Sequence, residues 1–586
     1  MLFHHAVLSC KAPESRESGA LTIKTHRLSG HRSAGRGGLS TFCRISGLLL
    51  LLGLLPQPAE AGNVTNFSIT NFVWTGAAGS LWSSTNNWLV DAPTNGAPAP
   101  RPPNSIAGQD FTIFRGLVAN RTIDLGSTPQ NIRGMQFDSA ANPGGYTFNV
   151  SGVGETATDF GFHLRPDGIV NYDSHPEIFN APVKLLTYAG GNLSSMIQVA
   201  LNVTSGGLVF SGHWNGGAAN TPTFDINGGD LVLKGAGDFT FGGNTTKGII
   251  ASSSGNGTLT MNSSGRLFLD GTSANTYSGG TIINNGTVYA NKLNALGNLA
   301  PLVVNNLGTL DINDYNQRVG DFILAGGTIN GGTGSLLLNS ASNNIQAGMS
   351  SAIIGGSGGL TKTTDGLVTF TGANTYSGGT TIESGKLFVD NLTGSGTGSG
   401  AVNVKNGGTL AGIGFITGPL TLQSGGNLVA GHGGPGTLTS ANQTWQGGSK
   451  ITLAVNSANG TAGANPGWGL LKINGVLTLG GTPITINLTS LTLGGSAGQV
   501  SDFSGDSTYD WLFASASGGI VGLTSGSFQV NTLKFSNNPD DNRFTVVSEN
   551  HDTELHLVHV PEPGPIALLI LGLGLGALAQ SVRRRA

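Results

Sequence analysis

The chain has 586 residues, of which only 10% are Asp, Glu, Lys or Arg and 96 are glycine; average soluble domains carry roughly 25% charged residues and ~7% glycine. Low charge with abundant Gly, Ser, Thr and Asn is a composition shared with disordered chains, but many short apolar runs exclude that reading and suit short strands between tight turns. Residues 62–560 hold 18 basic and 27 acidic side chains, a net charge of −9, which leaves no basic stripe and argues against nucleic acid as a partner.

The first segment, residues 1–61, reads as an export signal with a long basic leader. Basic residues precede the apolar run ISGLLLLLGLL (45–55), and Ala59-Glu60-Ala61 follows as an A-x-A cleavage site. Both cysteines, Cys10 and Cys43, lie inside this segment. Cleavage after Ala61 leaves a mature chain without cysteine, so its stability must come from backbone pairing and packing rather than disulfides.

Residues 62–200 read as a β-rich N-terminal region. FVWTGAAGSLWSSTNNW (72–88) carries three of the seven tryptophans among polar turn residues, which predicts a cap with buried indoles. APTNGAPAPRPPNS (92–105) is too proline-rich for a helix or a central strand and reads as a loop. FTIF (111–114) and YTFNV (146–150) read as strands.

From residue 201 to 455 the texture becomes regular. Runs such as GGDLVLKG, NGTLTMNSSGRLFLDG, NNGTVYA, GLVTFTG and SGKLFVD each place a turn signal before three to five alternating apolar and polar residues. That alternation predicts strands with one face inward, and near-regular spacing predicts a repeat architecture. The peptide ANTYSGGT occurs at 274–281 and again at 373–380. It holds no acid, base or thiol. In VTFTGANTYSGGTTIESGKLFVD (368–390), VTFT, TTI and KLFV read as strands, with GANTYSGG and ESG as corners. Stacked coils lie ~4.7–4.8 Å apart, so like residues should form amide or aromatic ladders. Asn275, Tyr277, Gly279 and Gly280, with Asn374, Tyr376, Gly378 and Gly379, are therefore structural positions: tyrosines as core or corner rings, glycines at positive φ. Repeats of roughly 20–30 residues would put the two copies about four coils apart. SANQTWQGGSKI (440–451) reads as a weaker third copy.

These two segments resemble the autotransporter-associated β-strand repeat of bacterial passenger proteins. Residues 399–439 resemble the Gly-rich coils that commonly follow it, and the N-terminal Trp pattern is similar to the start of such exported proteins. An autotransporter ends in a membrane β-barrel with many ~10-residue amphipathic strands, and this chain departs from that pattern. Residues 456–559 read as a β-rich C-terminal region.

The final segment, 560–586, places Pro561-Glu562-Pro563 before an apolar stretch, with Arg583-Arg584-Arg585 at the end. Residues 564–582 would span about 28 Å as a helix, close to a ~30 Å hydrocarbon core, with the arginines on the cytoplasmic side. This arrangement is similar to the PEP-CTERM sorting signal, which implies processing by an exosortase and inner-membrane anchoring before it.

Candidate chemistry is sparse. His163, His175, His213 and His432 are isolated; His551, His556 and His559 sit in HDTELHLVH, where alternation sends His556 and His559 to opposite faces and no standard zinc spacing occurs. Asp502, Asp506 and Asp510 lack EF-hand spacing and read as a solvated loop. Parallel β-helices also host polysaccharide lyases and hydrolases, which need clustered carboxylates or a metal. Ten acids are scattered along 201–455, from Asp225 to Asp390.

The expected protein is all-β: a parallel β-solenoid with a β-rich N-terminal cap and one C-terminal hydrophobic helix. Its expected role is a secreted or cell-surface structural protein, non-enzymatic, without cofactor or metal, associated with extracellular matrix. Its expected partners are the export machinery, an exosortase-type enzyme, the inner membrane and extracellular polysaccharide. An adhesin or glycan-binding protein is the alternative, and a polysaccharide lyase or hydrolase the third reading.

Overall fold

The computed structural model describes residues 70–561 apart from 91–102, 104–109, 116–117, 119–120, 139–143, 152–160, 186–197, 212–222, 244–247, 254–255, 482 and 538–542. The signal segment with Ala59 and Ala61, His213, Glu562, Pro563, the apolar stretch and Arg583, Arg584 and Arg585 lie outside the described residues. Among the described residues the helical content is the 3-10 turn Thr85–Asn87 and one further 3-10 residue, Arg543. No described helix is long and apolar enough to cross a membrane.

The chain winds as a stack of coils, each giving a strand to three parallel ladders. In mid-stack, one side is built by Leu360–Lys362, Thr380–Ile382, Val402–Val404 and Leu420–Leu422, each paired in parallel with the next. A second side is built by Leu367–Phe370, Gly385–Val389, Gly408–Gly412 and Asn427–Ala430. The third contains Gln317–Val319, Ser335–Leu338 and Ile353–Gly356. Period-2 alternation sets the inside: in Thr380–Ile382 the end residues are buried and Thr381 faces outward. Because every rung repeats the same inward positions, like side chains meet vertically. Phe148, Phe179, Phe210 and Phe241 stack with successive centroid distances of 4.9, 5.0 and 4.9 Å. On the outer surface Asn262, Asn284 and Asn305 form an amide ladder, each donating to the one before at 2.6 and 2.5 Å.

The expected boundary near residue 200 has no counterpart in the ladders. Gln198–Val203 pairs with Phe162–Asn171 on one side and Asp230–Gly235 on the other, and parallel pairing already begins between Thr70–Trp74 and Asp110–Phe114. Residue 455 is crossed in the same way, since Lys450–Val455 pairs with Ile484–Ser490 and that strand with Phe528–Lys534. The alternation of 62–200 is harder to see because more residues separate its rungs, 34 between Gly134 and Gly168.

Both ends of the stack are closed by aromatic clusters and antiparallel pairing. At the N-terminal end Thr70–Trp74 pairs antiparallel with Trp88–Val90. Trp74, Trp82 and Trp88 are fully buried, with Trp88 edge-on to the other two at 5.0 and 4.6 Å. The Trp82 indole N–H donates to the Pro103 carbonyl at 2.9 Å, so the expected indole cap is present and one proline of the loop covers it. At the C-terminal end Tyr509–Ala516, Glu554–His559 and Phe544–Glu549 form an antiparallel sheet whose inner face gathers Tyr509, Trp511, Phe544 and His559.

Candidate functional site

The two ANTYSGGT segments are parts of the scaffold, but they form the third side of the coil rather than a corner. Thr375 N–H donates to Ile354 O at 2.8 Å, and Ser399 N–H donates to Tyr376 O at 3.0 Å, so the extended backbone pairs with coils on both sides. The Asn side chain completes the ladder. Asn374 Oδ1 accepts from Ile354 N–H at 2.8 Å while its Nδ2 donates to Gly396 O at 2.6 Å. Asn275 does the same between Ile250 N–H and Ala295 O. Tyr277 and Tyr376 are fully buried, with hydroxyls 2.6 Å from Thr281 and Thr380 Oγ1. Burial pushes both phenols above their ordinary range.

The glycines divide their work differently from expectation. Gly280 and Gly379 have φ of 121° and 83°, whereas Gly279 and Gly378 do not have positive φ. A Cβ on Gly279 would lie 2.2 Å from Asn256 O, and one on Gly378 2.3 Å from Gly359 N. The first glycine of each pair is needed for close approach of the neighbouring coil. The copies are five rungs apart, along Ile283, Val304, Leu324, Ile345, Lys362 and Ile382, because coils here hold about 20 residues rather than about 25. The segment at 440–451 is not a third copy: Trp445 lies within strand Gln443–Gln446 and pairs with Leu422, two positions along from the rung of Thr380.

The scattered acids hold coils together. Asp230 bonds Thr258, Asp238 pairs with Arg266, Asp314 bonds Thr333 and Glu383 pairs with Lys405 at 3.0 Å, each partner one coil on. His432 stacks on Phe388 at 3.7 Å and pairs with Asp390, and His175 pairs with Asp173 at 2.9 Å. His163 is buried 3.2 Å from Asn131 Oδ1. His551 lies in a turn with Asn550 and Asp552, all three at positive φ. His556 and His559 do point to opposite faces; His559 is buried, and burial pulls its imidazole down while Ser507 O lies 2.9 Å from Nδ1.

Asp502 and Asp506 are exposed in one irregular segment, as expected, whereas Asp510 lies on the strand that follows it. Asp502 accepts from Ala458 N–H at 2.8 Å and Ser457 Oγ at 2.7 Å. Burial pushes its carboxyl up, but these bonds outweigh it and hold it below the usual range. Asp506 is exposed in a turn. Asp510 lies on Tyr509–Ala516 and reaches His556.

Glu177 and Lys292 are among the buried charged side chains that sequence reasoning did not single out. Glu177 points inward in a column with Leu208 and Phe239; burial pushes its carboxyl up to about 8. Lys292 is buried against Gly248 O, and burial pulls its ammonium down to about 7. The available signal at Glu177 was an acid at the inward parity of HPEIF.

An open polar groove of about 400 Å³ crosses the second side near the C-terminal end. It is lined by Thr409, Asn427 and Lys450 in one vertical column and by Thr452, Asn487 and Asn531 in the column two positions along, with Lys534 beside them. Thr452 donates to Asn427 and Asn531 to Asn487, both at 3.0 Å. Hydroxyls, amides and two ammonium groups on successive rungs are suited to hydrogen-bonding a polyhydroxylated chain.

Comparison with known proteins places the similarity on the repeats. Residues 254–290 and 360–387 match the passenger-associated-transport-repeat model, and each match contains one ANTYSGGT segment. A 210-residue stretch, 33% of this chain, is 29% identical to the adhesin BmaC autotransporter of Brucella suis biovar 1 (strain 1330). The match covers 6% of that relative's length. The chain thus carries autotransporter-type repeats on a parallel β-solenoid.

Proposed function

We propose that the protein is a structural β-solenoid displayed outside the cell, associated with extracellular matrix, and sorted through its C-terminal segment by an exosortase. The observation that carries this reading is the unbroken stack of coils from Thr70 to Lys534, in which repeat amides and most solenoid acids serve coil-to-coil bonding. Such a stack offers a long surface and invests its polar groups in holding it, so the reading is non-enzymatic. The relative named as an adhesin supports surface display. In the sorting step the apolar stretch halts in the inner membrane with Arg583, Arg584 and Arg585 cytoplasmic, and Pro561, Glu562 and Pro563 lie outside for cleavage. Deleting residues 561–563 should trap the protein in the membrane fraction at slightly higher mass. Identical fractionation of both forms, each retaining the C-terminal peptide, would reduce the segment to a plain anchor.

The groove favours a second reading, an adhesin that binds acidic polysaccharide through Lys450 and Lys534. On a glycan array the protein should retain uronic-acid polymers, and Lys450→Gln with Lys534→Gln should weaken that retention at least tenfold while neutral glycans are unaffected. Retention unchanged in the double variant would remove the groove from consideration.

A further inference from the structure

On the outer face of the C-terminal antiparallel sheet, three strands converge on one imidazole. Asp510 comes from Tyr509–Ala516, Glu549 from the end of Phe544–Glu549, and Glu554 and His556 from Glu554–His559. Glu549 and Glu554 are directly opposed across the hairpin. Like charges in that position destabilise a strand pair unless a cation lies between them. Among the described residues no lysine or arginine makes an ion pair with Asp510, Glu549 or Glu554; the group that faces all three is His556.

The imidazole is oriented. Asp510 Oδ1 lies 2.6 Å from His556 Nδ1. With the Nδ1 proton donated there, Nε2 presents its lone pair on the side where Glu554 Oε2 and Glu549 Oε2 stand 3.4 and 3.8 Å away. Two ligands each 2.0–2.2 Å from a tetrahedral zinc ion are separated by ~3.4 Å, and the 3.8 Å between His556 Nε2 and Glu549 Oε2 is close to that. Asn550 Nδ2 donates to Glu554 Oε2 and fixes that carboxylate in turn. Ligand atoms of Asp510, Glu549 and His556 all lie within 4.8 Å of one another.

We propose that Asp510, Glu549 and His556 bind a divalent transition-metal ion of the zinc class, with water completing the coordination. Imidazole with carboxylates suits zinc over calcium, which takes oxygen donors. The ion would clip the terminal hairpin to the strand that follows the last coils.

The test uses the full chain, stripped with chelator and titrated with zinc chloride by calorimetry, with thermal melts in parallel. Zinc should bind at a ratio of one and raise the melting midpoint. Glu549→Gln and His556→Gln should abolish both effects, and His432→Asn, at a separate Asp–His pair, should leave them intact. Asp510→Asn should abolish both effects as well. No zinc binding, or binding undiminished in His556→Gln, overturns the proposal. So does calcium binding that is lost in Glu549→Gln but kept in His556→Gln. If His556→Gln loses its strand signal in circular dichroism, the half-exposed Glu549→Gln decides.

Discussion

Replacing Gly378 and Gly379 together with valine is expected to cost the solenoid far more stability than Tyr376→Phe. A Cβ at Gly378 would stand 2.3 Å from Gly359 N and 2.5 Å from Gly358 C, both backbone atoms of the neighbouring coil that cannot rotate away. Gly379 adds a positive φ of 83°, which a β-branched residue adopts only under strain. Backbone displacement and strain together should reach ~4 kcal/mol or more. Tyr376→Phe keeps the ring in place and removes one buried hydroxyl bond to Thr380, a loss of about 1–2 kcal/mol. Thermal melts followed through the strand signal should separate the two variants clearly. Equal midpoints would mean that the coils do not approach as closely as this geometry requires.

Stability should fall as pH rises from about 5 to 8, and Glu177→Gln should remove that fall. The Glu177 carboxyl is fully buried; Oε2 accepts from Tyr146 N–H at 2.5 Å and Oε1 has no partner. Its folded pKa is raised from 4.5 to about 8, chiefly by burial. Between those values the folded chain keeps a proton that the unfolded chain releases. The contribution is therefore complete below pH 4.5 and lost by pH 8, an effect of roughly 3–5 kcal/mol. Lys292 acts in the opposite sense and in a higher window. Its pKa drops from 10.5 to about 7, so the unfolded chain holds the extra proton between pH 7 and 10.5 and stability rises there. Wild type should show a minimum near pH 7–8, whereas Glu177→Gln should show only the rise. Denaturant titrations at pH 5, 7.5 and 9.5 give both arms; a monotonic wild-type profile would contradict the burial of one of the two groups.

Much of the middle of the fold was legible because its signals are local. Alternation in VTFT and TTI and the glycine of ESG correspond, within one residue, to strands Leu367–Phe370 and Thr380–Ile382 and to the corner at Gly385, whose φ is 69°. Amide and aromatic ladders followed from stacking alone. What remained hidden depends on vertical neighbours. Whether Gly378 turns the chain or makes room for Gly359 is decided by a residue 19 positions earlier. Trp445 looks like Tyr376 in a linear alignment, yet the register puts it on a different rung position. The rungs before residue 200 are farther apart in sequence, as between Gly134 and Gly168, so their periodicity is diluted. At the candidate cation site, Asp510 and His556 are 46 residues apart and meet only through antiparallel pairing. Alternation within HDTELHLVH correctly separated His556 from His559 but carried no information about the strand alongside.

The distance along the chain from one rung to the next is not constant. Ile345 pairs with Lys362, 17 residues on, whereas Trp445 pairs with Leu479, 34 residues on, and both pairs keep strict parallel register. Doubling a loop costs only ~0.6 kcal/mol in closure entropy, little against a rung of ladder bonds and buried side chains. Insertions and deletions at the coil edges are thus nearly invisible to the core. Such a lineage can rewrite its outer contour by mutation while inheriting the same interior, so kinship in this architecture should survive in the rungs long after the loops have diverged.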